Sequence, residues 1–240
     1  MIDWLRRAAI DPEIELNGER VPIVLRLHKR ARRLTLRLAP DGSEVRLTVP
    51  HWAPREQAIA FAHARAQWLA DQHAKVPRRA APCPGGEVLL RGSSMRIDWS
   101  ETAPRTPRLV GEAVILGGPP AGLEGRLRRW LEREALALVE TDMRGYCAAA
   151  GLEPVPVALS RAQRRWGSCS DRSRIRINWR LVQAPDFVRR SVVAHEVAHL
   201  VHFDHSAAFH ALLGRIYEGN IKQADRWLKD HGRSLYAAFG

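Results

Sequence analysis

From Val21 to Val49 the apolar residues recur at every second position. Ile23, Leu25 and Leu27 alternate with other residues, as do Leu34, Leu36 and Leu38, and then Val45, Leu47 and Val49. Alternation puts one set of side chains on one face of a sheet, so these runs predict strands. Pro40-Asp41-Gly42-Ser43 supplies turn chemistry between the last two runs and predicts a hairpin. Pro54 then opens a predicted helix whose apolar stripe is Ile59, Ala62, Ala66 and Leu69, with Phe61 and Trp68 beside it. Pro77, Pro82, Pro84, Gly85 and Gly86 interrupt the pattern as a loop or linker. Short strand-like pieces follow around Val88–Arg91, Met95–Trp99 and Ala113–Leu116.

Past Gly117-Gly118-Pro119-Pro120 the period changes to that of helices. A long helix is predicted from about Leu123 to Ala150, stopped by Gly151 and Pro154. Strands are predicted near Val155–Ser160 and Arg174–Trp179, with Trp166-Gly167-Ser168-Cys169-Ser170 between them as a tight turn packing a structural thiol. Pro185 begins a further helix, with Asp186 placed to suit the helix dipole, and more helices are predicted at Ser206–Tyr217 and Ile221–His231. The fold class that results is α+β, with a strand-rich N-terminal region over residues 1–118 and a helix-rich region over 119–240. The sequence displays no internal repeat and no low-complexity tract.

With 240 residues and 45% hydrophobic content, the chain has enough apolar material for a sizeable core. Its net charge is +12, and Lys29, Lys75, Lys222 and Lys229 are its only lysines, so arginine carries most of the positive charge. A basic face would attract nucleic acid, anionic lipid or an acidic substrate. The arginines are spread along the chain without a compact basic run, so a bias of composition is the better account of them. Cys83, Cys147 and Cys169 are far apart, form no CxxC pair and number three, which argues against a disulfide framework and for a reducing compartment. Met1–Ile10 carries Asp3, Arg6 and Arg7 and has no apolar leader pattern, and no stretch has the length of a membrane span. The expected location is cytoplasmic.

The chemistry concentrates in Val192-Val193-Ala194-His195-Glu196-Val197-Ala198-His199-Leu200-Val201. His195 and His199 stand four residues apart, slightly more than one helical turn, so both project from one face and can reach one metal ion. Val193, Val197, Leu200 and Val201 form a separate apolar stripe for packing. Glu196 lies beside the first ligand, where its carboxylate can act as general base on water activated by the metal. His205, six residues after His199 in an apparent helix break, is one candidate third ligand, and Glu218 on a following helix is another. His202 stands where a metzincin would have glycine, and Met1, Met95 and Met143 all precede the motif, so the metzincin pattern does not apply. His202 and His210 fit supporting positions better than ligation. The strand before such a helix often offers an edge to an extended peptide, and Ile175 and Ile177 mark the candidate strand. Tyr217 is a candidate oxyanion stabiliser.

Arg165-Trp166-Gly167-Ser168-Cys169-Ser170, Ile177-Asn178-Trp179-Arg180-Leu181, Ala194–His199 and His205-Ser206-Ala207-Ala208-Phe209 together resemble the YgjP-like metallopeptidase domain, a family related to the SprT-like zincins. The likeness is strongest over Arg161–Leu228 and extends more loosely to Arg32–Leu69. It implies a zincin-like core, of minigluzincin or SprT type, with a small sheet. It further implies one zinc ion held by His195, His199 and His205, and a peptide or protein substrate. The family more usually carries Trp where this chain has His210. Two other functions fit the composition: a metal-dependent nucleotide or phosphoester hydrolase, since Arg pairs bidentately with phosphate, and a nucleic-acid-binding protein with a structural zinc. A structural zinc takes four protein ligands and has no use for Glu196.

Overall fold

A computed structural model of the chain describes residues 12–77, 80–170 and 172–239. The chain divides into two compact units, Met1–Arg78 and Arg79–Gly240. In the first, β1 (Glu13–Leu16), β2 (Glu19–His28), β3 (Thr35–Leu38) and β4 (Val45–Pro50) form a sheet ordered β1-β2-β4-β3. The predicted hairpin is present: β3 and β4 pair antiparallel, Leu38 opposite Val45, around Gly42 at φ 75°. β1 escaped the periodicity reading because only Ile14 and Leu16 carry its alternation. In place of one helix after Pro54 there are two, α1 (Arg55–His63) and α2 (Ala66–His73). The apolar stripe runs through the break without a phase change, so the pattern does not reveal it. Arg65, at φ −116° and ψ 19°, interrupts the helix. This lets α1 pack on β4 while α2 packs on β1 and β3.

The second unit repeats the topology of that sheet. β5 (Glu87–Leu90), β6 (Ser93–Trp99), β7 (Arg108–Val110) and β8 (Ala113–Leu116) are ordered β5-β6-β8-β7. In both sheets the first two strands are an antiparallel hairpin, the second and fourth are parallel, and the third and fourth are antiparallel. The turns match as well. Asn17-Gly18 and Arg91-Gly92 both place two successive residues at positive φ, the conformation that two-residue hairpin loops require. No repeat is visible in the sequence because topology is preserved by turn chemistry and alternation rather than by residue identity.

Helix α3 (Leu123–Ala150) spans 28 residues and ends at Gly151 in the left-handed region, φ 72°. Its first half (Leu123, Leu127, Trp130, Leu131) packs with Val88, Ile97, Val114 and Leu116 of the sheet. Its second half (Val139, Met143, Tyr146) packs with the site-bearing elements. The sheet over Glu87–Leu116, placed by composition with the N-terminal region, therefore shares a core with the helix-rich region.

Those elements are β9 (Val157–Ser160), β10 (Gly167–Cys169), β11 (Ile175–Asn178), α4 (Asp186–Ala198), α5 (Ala207–Ile216) and α6 (Ile221–His231). The three strands form a sheet ordered β10-β11-β9. The segment expected as a tight turn is thus a strand, antiparallel to β11. No helix among the described residues is long and apolar enough to cross a membrane.

Candidate metal centre

Helix α4 is anchored on both sides of its motif. Val193, Ala194, Val197 and Ala198 are fully buried, which fixes the rotation of the helix and turns His195 and His199 together to the opposite side. Arg189, with 3% of its side chain exposed, is held by Asp142 of α3 at 2.8 Å and Asp186 at 2.5 Å. Asp186 also receives Arg91 from the β5–β6 turn. A largely buried ion pair thus ties α4 to α3, and a more exposed one ties it to the neighbouring sheet.

His199 closes the helix as its C-cap, and the chain returns through His205 to Ser206, whose hydroxyl caps α5 by accepting from Phe209 N–H. His199 Nε2 and His205 Nε2 lie 3.1 Å and 3.2 Å from His195 Nε2. All three ligand atoms fall within 4.8 Å of one another. His199 Nδ1 is 3.0 Å from the carbonyl of His202. A carbonyl only accepts, so Nδ1 carries the proton and Nε2 presents its lone pair to the cluster. His202 contributes by its backbone, and His210, its ring 6.4 Å from that of His205, stays outside the triad.

Three ring nitrogens aimed at one point cannot satisfy each other, since a single N–H on His195 can donate to only one neighbour. A tetrahedral zinc about 2.05 Å from each nitrogen would set the nitrogens about 3.3 Å apart, close to the two short separations. The residues present therefore fit the ion. Burial, and next the charges of His199, His205 and His210, push His195 down to about 4, so its ring is neutral at pH 7, the form in which an imidazole can hold a metal. The ring of Phe209, fully buried, lies 5.0, 4.6 and 4.8 Å from the rings of His195, His199 and His205 and backs all three. Its place in the first turn of α5, three residues after the Ser206 cap and four after His205, is the signal in the sequence that could have assigned it this role.

Glu196 is 5% exposed, and its Oε2 is buried with no hydrogen-bond partner. Burial pushes its carboxyl up to about 7, against the downward pull of Arg165 and of the Cys169 N–H that bonds it. Gly167 makes this position possible. A Cβ there would stand 2.7 Å from Glu196 Cγ, closer than side chains pack, so β10 can approach α4 only with glycine at 167. Beside Glu196 a cavity of about 230 Å³ opens, its apolar wall made by Trp166, Val192, Leu213, Ile221 and Leu228 and its polar wall by Ser191, His195, Glu196 and Asp225.

Three expectations change. β11 is the central strand, with β10 and β9 on its two sides and Ile175 and Ile177 buried, so it has no free edge for a peptide. The edges are β10 and β9, and the one beside α4 and Glu196 is β10. Asn178 N–H donates to Trp166 O and Ser170 N–H to Arg174 O, so by antiparallel alternation Gly167 and Cys169 turn their backbone groups away from β11. Tyr217 is buried and its hydroxyl donates to Phe187 O at 2.8 Å. Phe187 lies in the first turn of α4, about 12 Å along the axis from His195 at 1.5 Å per residue. Tyr217 therefore packs the core and stabilises no oxyanion. Glu218 accepts from the Tyr146 hydroxyl at 2.9 Å and pairs with Arg190 at 2.7 Å, outside the histidine cluster. Burial raises the Cys169 thiol, which keeps it protonated and unreactive.

A family model described as YgjP-like, metallopeptidase domain, matches residues 32–231. No curated protein and no solved structure gives a significant match. The matched span covers most of both units and every residue of the histidine cluster, and the chain belongs to the YgjP-like metallopeptidase family.

Proposed function

We propose that this chain is a zinc-dependent peptidase in which His195, His199 and His205 hold one zinc ion and Glu196 is the general base. The observation that carries the reading is the pairing of three converging imidazoles with a buried carboxyl that has an unbonded oxygen and sits near neutrality. A base poised near the working pH is what proton transfer from water requires. Zinc in such a triad would supply Lewis acidity, lowering the pKa of water toward about 7 and polarising a carbonyl.

The chain's own groups do the rest. Glu196 accepts the proton of the attacking water and returns it to the nitrogen of the leaving amine. Burial keeps that carboxyl basic, and Gly167 leaves it room. The free edge of β10 gives an extended peptide the backbone groups of Gly167 and the carbonyl of Cys169 as partners, while the Cys169 N–H steadies Glu196. The cavity beside Glu196 takes an apolar side chain. A structural zinc would call for four protein ligands, and the cluster among the described residues has three.

Glu196→Gln is the test. The amide is nearly isosteric and Glu196 is not among the ligands, so the variant should fold, keep one zinc per chain and lose about 10²–10⁴ in the rate of peptide cleavage. Near-normal turnover would rule out Glu196 as the base. Loss of zinc would reassign it to metal support.

A further inference from the structure

The outer face of the three-stranded sheet, opposite α4, carries a cavity of about 560 Å³ lined by Arg161, Arg165, Arg176, Ser160, Ser168 and Glu132, among others. Among its described lining residues Glu132 is the only carboxylate, and Arg161 already bonds it at 2.8 and 3.0 Å. Three guanidiniums against one carboxylate leave the lining net positive through Arg176 and Arg165, the second of which also acts on the Glu196 carboxyl. Ser168 of β10 stands directly opposite Arg176 of β11 in the sheet register. Successive residues of a strand alternate between faces, so Gly167 meets Glu196 on the α4 side while Ser168 faces the cavity.

An extended peptide added at the β10 edge obeys the same alternation. Its side chains point in turn to the α4 face and to the cavity face. On the cavity face they continue the row Arg176–Ser168. Strands are about 4.8 Å apart, so the incoming residue lies about 10 Å from the Arg176 backbone, and a small residue between them leaves the arginine room to reach across. Arg165, two residues before Gly167, lines the same cavity from the other end of the edge.

We propose that this cavity is a specificity subsite that selects a substrate carrying an aspartate or glutamate within two residues of the cleaved bond, with Arg165 and Arg176 as the selecting residues. The inference rests on the peptidase reading and deepens it. The occupant is a peptide side chain because the cavity continues a row of alternating strand positions, and its charge complements a carboxylate. A lysine in that place meets two like charges and is rejected.

The test is cleavage by the zinc-loaded full chain of a peptide mixture in which Asp, Glu, Ala and Lys occupy every position around the scissile bond, with products identified by mass spectrometry. Exposed ion pairs contribute about a factor of three each as attraction or repulsion, so one position should prefer Asp or Glu over Lys by roughly tenfold in kcat/KM. Arg176→Glu, a change at an exposed position, should invert that preference toward Lys, and adding Arg165→Glu should deepen the inversion, read as the ratio between substrates because Arg165 also acts on the Glu196 carboxyl and its reversal slows all cleavage. Cleavage with no acidic bias, or with a bias that survives both reversals, overturns the subsite and leaves the peptidase reading standing. No cleavage of any peptide by the wild type overturns both. A binding assay with a single-stranded oligonucleotide completes the set. Affinity abolished by Arg176→Glu, with peptide preference unmoved, would assign the arginines to a phosphate backbone and overturn the proposal.

Discussion

A carboxyl group ordinarily ionises well below neutrality, and Glu196 is pushed to about 7 because burial disfavours its charged form. A general base works only as the anion. The raised value therefore means that activity is lost as pH falls through the Glu196 ionisation. A cation in the histidine cluster favours the anion further and can only lower the value. The acidic limb of the kcat/KM profile should thus lie at or below about pH 7, with a tenfold fall per unit beneath it; a limb above about pH 8 would exclude Glu196 as the group observed. Gly167→Ala bears on the same carboxylate from the side. The added methyl displaces Glu196 without touching a ligand, and misplacement on the order of 1 Å costs about 10²-fold in rate. The variant should bind one zinc by elemental analysis and turn over about a hundredfold more slowly. His195, His199 and Glu196, the two ligands and the base of the proposed mechanism, were legible as candidates from spacing alone. Gly167 was not, although a glycine inside a strand is itself a sign of close backbone approach.

Helix α4 works only because it is locked in rotation and depth, and Arg189 holds it from below. Replacing Arg189 by Ala leaves Asp142 and Asp186 without their shared buried partner. Removing one side of a buried pair costs about 3–5 kcal/mol, and here Arg91 and Arg190 remain to offset part of it. Arg189→Ala should therefore lower the urea midpoint by an amount equivalent to about 3 kcal/mol at unchanged m. No shift in midpoint would mean that apolar packing alone fixes α4. At this scale α3, α4, α5 and α6 were readable because their caps and apolar stripes are local. β7 and β10, with three residues each, are too short for a period to show. Their strand character comes from the partners they pair with.

The whole molecule divides at Arg78/Arg79, and the core cluster around the site and the one beneath the β5–β8 sheet both lie in the second unit. A chain covering residues 80–240 should consequently fold cooperatively and bind one zinc, as judged by circular dichroism melting and metal analysis. An unfolded fragment would mean that residues 1–78 are needed to complete that core. The sequence by itself determined the α+β class, the long helix and the helices after it, and it singled out His195, His199 and Glu196 as candidates. Those features depend on residue types a few positions apart, and a helix converts such spacing directly into a shared face. Only the tertiary structure decided where the units divide, that two sheets repeat one topology, that β10 rather than β11 offers the edge, and that Tyr217 and Glu218 are committed elsewhere. Each of these depends on which distant segments meet. His205 lies between the two cases. Its spacing made it a candidate, but only the return of the chain into α5 brings its Nε2 to 3.2 Å from His195.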